Sequence, residues 1–275
     1  MVNRTSGEIF SPEDKPFALK KKMNSVSVKW YGTNALEFRH SGGSFMIDPY
    51  VSRDREKLYI PTEVDKYITS TPDFILMTHA HWDHLPDMPH ILKKCGAVLY
   101  ASRTACMIMR AYGVPENQLY ELSYGETLHL PGNVTVTALE SRHMGLTGEA
   151  EGYSDVPPMD ELQSASGWKC GETFAFLIEV DGQKILNLGT ANMLEDVICG
   201  TECDHLFCGI SRWKDGFPEM LMRNIRFRHL IPTHHDEFKL PLDQFYLRND
   251  LARLADAIPG LTSFEIPVLQ WTDLP

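Results

Sequence analysis

The sequence predicts an α+β fold in which two β-rich halves pack face to face with helices outside, a four-layer αββα sandwich. Three observations carry that expectation. Each half begins with short strands and closes with helices; the apolar run 74–77 breaks off abruptly into a polar loop; and Asp181-Gly182 separates two apolar runs as a hairpin turn would.

In chain order, Val26, Val28 and Trp30 alternate with polar neighbours, Leu36 and Phe38 do so after Gly32, and residues 45–47 follow the Gly42-Gly43 turn, which together read as an antiparallel meander. The run 74–77 then reads as a strand buried on both faces. A short helix is expected over 86–94, a strand over 97–100, and a helix over 104–112 stopped by Gly113. Strands resume at 118–122, 127–130 and 134–139, separated by Gly125 and by Pro131-Gly132-Asn133. Residues 173–180 and 183–188 flank the Asp181-Gly182 turn, and helices at 217–227 and 242–257 surround a strand at 229–232. No linker divides the chain, so residues 1–275 are expected to form one domain. Residues 144–168 are rich in Gly, Glu and Pro and show no period, which marks them as a lid or specificity loop.

The chain has 275 residues, 43% of them hydrophobic, enough for a substantial core. Lys and Arg number 26 against 37 for Asp and Glu, a formal charge of −11, and that field repels phosphate backbones. A small-molecule partner is expected and nucleic acid is not. The apolar runs fall far short of the roughly 20 residues a membrane-spanning helix needs. Lys20, Lys21 and Lys22 have no apolar segment beside them, so no signal peptide is read and the cytoplasm is the expected compartment. Six cysteines lie scattered without a CxxC pair, so they read as buried reduced thiols rather than a zinc ribbon or a disulfide framework. Oligomeric state is left open.

The chemistry is carried by Thr78-His79-Ala80-His81-Trp82-Asp83-His84, three histidines and an aspartate directly after the buried strand. In an extended loop residues two apart face the same side, so His79 and His81 can grip one ion while Asp83 and His84 face a neighbouring position. With that motif the sequence resembles the metallo-β-lactamase-fold hydrolases, whose hallmark is this HxHxDH loop. Met46-Ile47-Asp48-Pro49, Leu139-Glu140-Ser141-Arg142-His143 and Ile231-Pro232-Thr233-His234 resemble further segments of that family. Trp30-Tyr31-Gly32 gives the chain the tone of its ascorbate-phosphate lactonase-like branch.

The resemblance implies a first metal site of His79, His81 and His143 and a second of Asp83, His84 and His234. It implies one or two divalent ions, zinc first, with manganese, iron or nickel as alternatives. His235 competes with His234, and strand alternation lets only one face the site. Where the family has an aspartate bridging both ions, this chain has Thr190, a neutral hydroxyl, so the second ion is expected to bind more weakly. Asn192 is the candidate substitute. Asp48 is expected to hold a ligating histidine from behind. Arg212 and Lys214 are candidates for an anionic substrate group, and Trp82 for the pocket wall. The implied activity is hydrolysis of a small ester, lactone, phosphoester or amide by a metal-activated water, with Asp83 orienting that water and accepting its proton. Two other readings are carried beside it: a metal-binding protein of the same fold with little or no hydrolytic activity, and a redox-type iron member.

Overall fold

A computed structural model describes residues 25–145 and 150–275. Positions 1–24, which include the expected leader-free N-terminus, and 146–149 of the expected lid lie outside the described residues. The strands are β1 (Ser27–Trp30), β2 (Leu36–His40), β3 (Gly43–Ile47), β4 (Phe74–Leu76), β5 (Val98–Ala101), β6 (Leu119–Glu121), β7 (Glu126–Leu130), β8 (Val134–Glu140), β9 (Phe174–Val180), β10 (Gln183–Asn187), β11 (Thr201–Gly209), β12 (Ile225–Thr233) and β13 (Trp271–Asp273). Helices are α1 (Pro61–Tyr67), α2 (Met88–Cys95), α3 (Arg103–Ala111), α4 (Glu195–Ile198), α5 (Phe217–Asn224) and α6 (Asp250–Ala257).

Two mixed sheets result, ordered β13-β1-β2-β3-β4-β5-β6 and β12-β11-β10-β9-β8-β7. In the first, β1 to β3 form the antiparallel meander and β3 to β6 run parallel. In the second, β7 to β10 are antiparallel, while β10, β11 and β12 are parallel.

The period of two along each strand sorts side chains into three apolar layers. Phe45, Ile47, Phe74 and Leu76 of the first sheet meet Val136, Phe176, Ile178, Phe207 and Ile231 of the second in the central layer. Met46 and Ile75 point the other way, under α2 and α3. Leu206, Cys208 and Leu230 face α5 and α6. Those three layers between four strata are the αββα sandwich. Phe45 stacks between Phe38 and Phe74 at 4.8 and 5.0 Å, and Phe38 meets Phe207 across the sheets at 5.3 Å. Truncating such a ring to Ala costs about 3–5 kcal/mol.

Two expected helices are shorter than their apolar spacing suggested. Residues 225–227 belong to β12, because Ile225 and Phe227 alternate with Arg226 and Arg228 and pair in register with β11. The 242–257 helix is interrupted: a 3-10 turn at Leu242–Gln244 precedes an extended stretch whose backbone bonds to the 235–237 loop, Glu237 N to Tyr246 O at 3.1 Å and Arg248 N to His235 O at 2.7 Å. Tertiary pairing there overrides helix propensity. Among the described residues no helix is long and apolar enough to cross a membrane.

Candidate metal centre

The sandwich brings five strand exits to one edge. Asp48 follows β3, residues 78–84 follow β4, His143 lies past β8, Thr190 past β10, and His234 directly after β12. Because β9 runs antiparallel between β8 and β10, its entrance at 170–173 arrives at the same edge.

Asp48 fixes the 78–84 loop. Its carboxylate accepts from Thr78 N at 2.7 Å, from the Thr78 hydroxyl, from Asn34 Nδ2 at 2.8 Å and from His84 Nδ1 at 2.9 Å. Asn34 and Asn187 exchange amide hydrogen bonds at 3.2 Å, and the Thr233 hydroxyl donates to Asn34 Oδ1 at 3.2 Å. A buried polar hub thus ties the exits of β3, β10 and β12 together, with all its members paired as burial requires. Gly189, in the left-handed region at φ +69°, lets the second half approach this loop: a Cβ there would stand 2.7 Å from Thr78 Cγ2.

On this frame five imidazoles crowd together. Ring centroids of His79 lie 4.9, 4.1 and 5.0 Å from those of His81, His84 and His143; His81 and His143 are 4.4 Å apart, and His84 and His234 are 5.5 Å apart. Asp83 Oδ2 lies 3.3 Å from His234 Nε2. Donor atoms of Asp83, His84 and His234 lie within 4.8 Å of one another, close enough to hold one ion. The same holds for Asp48, His79 and His84, and for His79, His81 and Cys170. His79 and His84 are 1% exposed, and His79 Nε2 and His234 Nδ1 have no hydrogen-bond partner although both atoms are shielded from solvent.

Electrostatics keeps most of these rings neutral, the form that ligates metals. Burial, reinforced by the surrounding imidazoles, holds His79 well below the usual value. Burial likewise takes His81 down to about 4 and His143 to about 3. His84 goes the other way, because Asp83 and Asp48 outweigh its burial. Burial resists ionisation of Asp83, but His84, His234 and His81 prevail and hold its carboxyl well below the ordinary carboxylate range.

The remaining expected residues separate. Thr190 is 4% exposed and lines a small cavity with His79, His143 and His234; its Oγ1 accepts from Met144 N at 2.9 Å. Asn192 turns its amide to the His143 carbonyl at 3.1 Å, and its Oδ1 accepts from Met193 N at 2.9 Å, so it braces the turn beside His143. His235 stacks on Trp30 at 5.3 Å, away from the other histidines, and burial takes it down to about 4. Asp236 ion-pairs with Arg53 at 2.7 Å, neither side chain exposed. Trp82 packs edge-on to Tyr50 and against Phe238 and lines a cleft with His81.

Arg212 and Lys214 lie outside the residues lining the two clefts beside the histidines. Both are exposed, and Lys214 donates to the Gly145 carbonyl at 3.2 Å. The cations bordering the histidines come from elsewhere in the chain. A cleft of about 380 Å³ carries Arg55, Lys169 and Cys170 beside His81 and His143, and one of about 410 Å³ carries Arg103, Arg142 and Glu172 beside His143. Except for Arg142, next to His143 in the chain, sequence reasoning missed these, together with Asn34 and Cys170, because only the fold brings them to this edge. Residues 150–168 border both clefts, and they are anchored by Trp168 Nε1 donating to Leu162 O at 3.1 Å and by two 3-10 turns, Glu161–Gln163 and Ala165–Gly167.

Residues 44–235 match the family model described as a β-lactamase superfamily domain. A UPF0173 metal-dependent hydrolase of Pyrobaculum arsenaticum is 28% identical over 133 residues, which cover 48% of this chain and 57% of that protein. The match therefore spans little more than half the length of that curated relative. One of the same name from Rhizobium meliloti is 25% identical over 232 residues, 80% of this chain and 88% of that protein. Among solved structures, Igni18, a metallo hydrolase from Ignicoccus hospitalis, superposes with a TM-score of 0.59 at 14% identity, covering 91% of this chain and 99% of that one. At that identity the likeness concerns the fold alone.

Proposed function

The chain belongs to the β-lactamase superfamily, and from that premise we propose that it is a metal-dependent hydrolase acting on a small ester, lactone, phosphoester or amide. His79, His81 and His143 would hold a first divalent ion and Asp83, His84 and His234 a second; zinc is the proposed metal. The observation that carries this reading is His79 Nε2, a ring nitrogen sealed from water and left without a partner among four other imidazoles. An uncompensated buried polar atom costs about 1–3 kcal/mol, and a cation among the rings removes that cost. The donor set of imidazoles with a carboxylate suits zinc and the neighbouring transition metals.

A bound ion would activate water and polarise the scissile carbonyl or phosphoryl group. The chain's own residues do the rest. Asp83, kept ionised by the surrounding histidines, is a ligand and a hydrogen-bond acceptor that orients the attacking water; its depressed pKa makes it a weak store for the proton. Asp48 locks the His84 ring by accepting from Nδ1, leaving the other nitrogen toward Asp83. Clefts of about 380 and 410 Å³ fit a small molecule, and residues 150–168 along both rims act as the specificity loop.

Thr190 favours a second reading, a metal-binding protein with little turnover, because a neutral hydroxyl in the cavity beside His79 and His234 adds no charge between two ions. Zinc-loaded protein assayed on esters, lactones and phosphodiesters, with chelated protein and His79→Ala as controls, separates the two. Turnover lost in both controls supports the hydrolase; metal uptake without turnover on any class supports the second reading.

A further inference from the structure

We propose that Cys170 is a sulfur donor to the first ion, so that the first site is a thiolate-imidazole centre built from His79, His81 and Cys170 with His143. This rests on the metal-centre reading above and adds to it a ligand from β9's entrance.

Two backbone contacts set the thiol in place. Ala80 N donates to Cys170 O at 3.0 Å, and Phe174 N donates to Thr78 O at 2.8 Å. The segment entering β9 is thereby paired along the metal loop, and the one residue between His79 and His81 is the one bonded to Cys170. Gly171 makes the turn that follows: its φ is +62°, and a Cβ there would stand 2.3 Å from Thr104 Cβ. Cys170 is 5% exposed, and its Sγ, 3.5 Å from Thr173 Oγ1, lies within 4.8 Å of ring nitrogens of both His79 and His81. Donor atoms around a tetrahedral ion with bonds of about 2.0–2.3 Å stand roughly 3.3–3.6 Å apart, so a small side-chain rotation closes the set.

Charge gives the reason for a thiolate here. His79, His81 and His143 are neutral donors. Asp48, whose carboxylate lies within 4.8 Å of a His79 ring nitrogen, is already committed to Thr78, Asn34 and His84. Thr190, in the small cavity with His79 and His143, is uncharged. Cys170 would supply the first ion with a buried anion, whereas Glu151, which lines the same cleft, is 79% exposed and paired with Lys169. On binding, the S–H bond breaks, the sulfur–metal bond forms and the proton leaves to solvent. Sulfur also biases the site toward zinc and cobalt over manganese.

The test is cobalt(II) titration of the full chain, followed by absorbance. We expect a near-ultraviolet thiolate-to-cobalt charge-transfer band in the wild type and in Cys199→Ser, and its loss in Cys170→Ser with the visible ligand-field bands retained. Loss of an outer partner already lowers metal affinity about 10–100-fold, so Cys170→Ser should weaken zinc binding by at least about 10-fold. Ligand-field bands without a charge-transfer band in the wild type, or a band unchanged in Cys170→Ser, overturn the sulfur ligand and leave the metal centre standing. No cobalt uptake overturns both. Zinc-edge X-ray absorption of the wild type needs no variant: a sulfur scatterer at about 2.3 Å supports the assignment, and nitrogen and oxygen alone overturn it.

Discussion

Asp48 accepts a hydrogen bond from His84 Nδ1 at 2.9 Å, with both side chains sealed from solvent. That contact fixes the ring's tautomer and aims its second nitrogen. Asp48→Asn keeps the volume and removes the charge, and it should lower affinity for the ion held by Asp83, His84 and His234 by about 10–100-fold. Competition with a chromophoric chelator measures it. Unchanged affinity would mean that His84 does not ligate.

Arg53 and Asp236 form a second buried relationship, which anchors the loop after His234. Arg53 Nε also donates to Leu240 O at 2.6 Å and Nη2 to Glu237 O at 2.9 Å, while Asp236 accepts from Thr33 N at 3.0 Å. Arg53→Met strands the carboxylate and should destabilise the protein by about 3–5 kcal/mol in urea melts. Adding Asp236→Leu should recover part of that loss. A single variant within about 0.5 kcal/mol of wild type would contradict the burial argument.

In the metal-free protein, acid should unfold the chain through its histidines. His81, His205 and His235 titrate at about 4 and His143 at about 3, all lowered first by burial. Unfolded histidine binds its proton near about 6.5, so the unfolded state takes up more protons as the pH falls. The stability these rings contribute is complete above about 6.5 and is lost as pH falls toward about 4. Asp87 opposes the trend, since burial raises it to about 6 and its native state gains protons over part of that range. His84, where Asp83 and Asp48 outweigh burial, opposes it too, but burial also lowers His40 and His79, and six lowered rings against one raised ring and one carboxyl leave the net slope positive. Thermal melts between these pH values should show Tm falling with acid; a flat or inverted profile contradicts the histidine burial.

Thr190→Asp places a carboxylate in the cavity shared by His79, His143 and His234. Without metal the variant should lose Tm, because a buried charge lacks a counter-ion. With zinc in excess it should gain Tm and bind the second equivalent more tightly. Equal second-site affinity in the two proteins would show that position 190 does not lie between the ions.

Much of this was legible in the sequence for a physical reason. Phe45, Ile47, Phe74 and Leu76 are placed by strand periodicity, which is local, and His79, His81, Asp83 and His84 lie within six positions of one loop. What was not legible depends on pairing between distant strands. Cys170 reaches the histidines only because β9 runs antiparallel to its neighbours, and nothing around it in sequence marks it. Arg212 and Lys214 sit in the turn after β11, exposed and outside the lining of the clefts beside His81 and His143. Helix spacing at 242–257 misled for a similar reason, since pairing with the 235–237 loop decided that segment.

The central claim is that this edge of the sandwich is a metal centre. Equilibrium dialysis against zinc with elemental analysis of the dialysed protein tests it most directly. The account predicts between one and two zinc ions per chain in the wild type, loss of the tighter one in a His79→Ala, His81→Ala double variant, and loss of the weaker one in His234→Ala. Wild-type protein that retains no metal, or a stoichiometry unmoved by these substitutions, would contradict it.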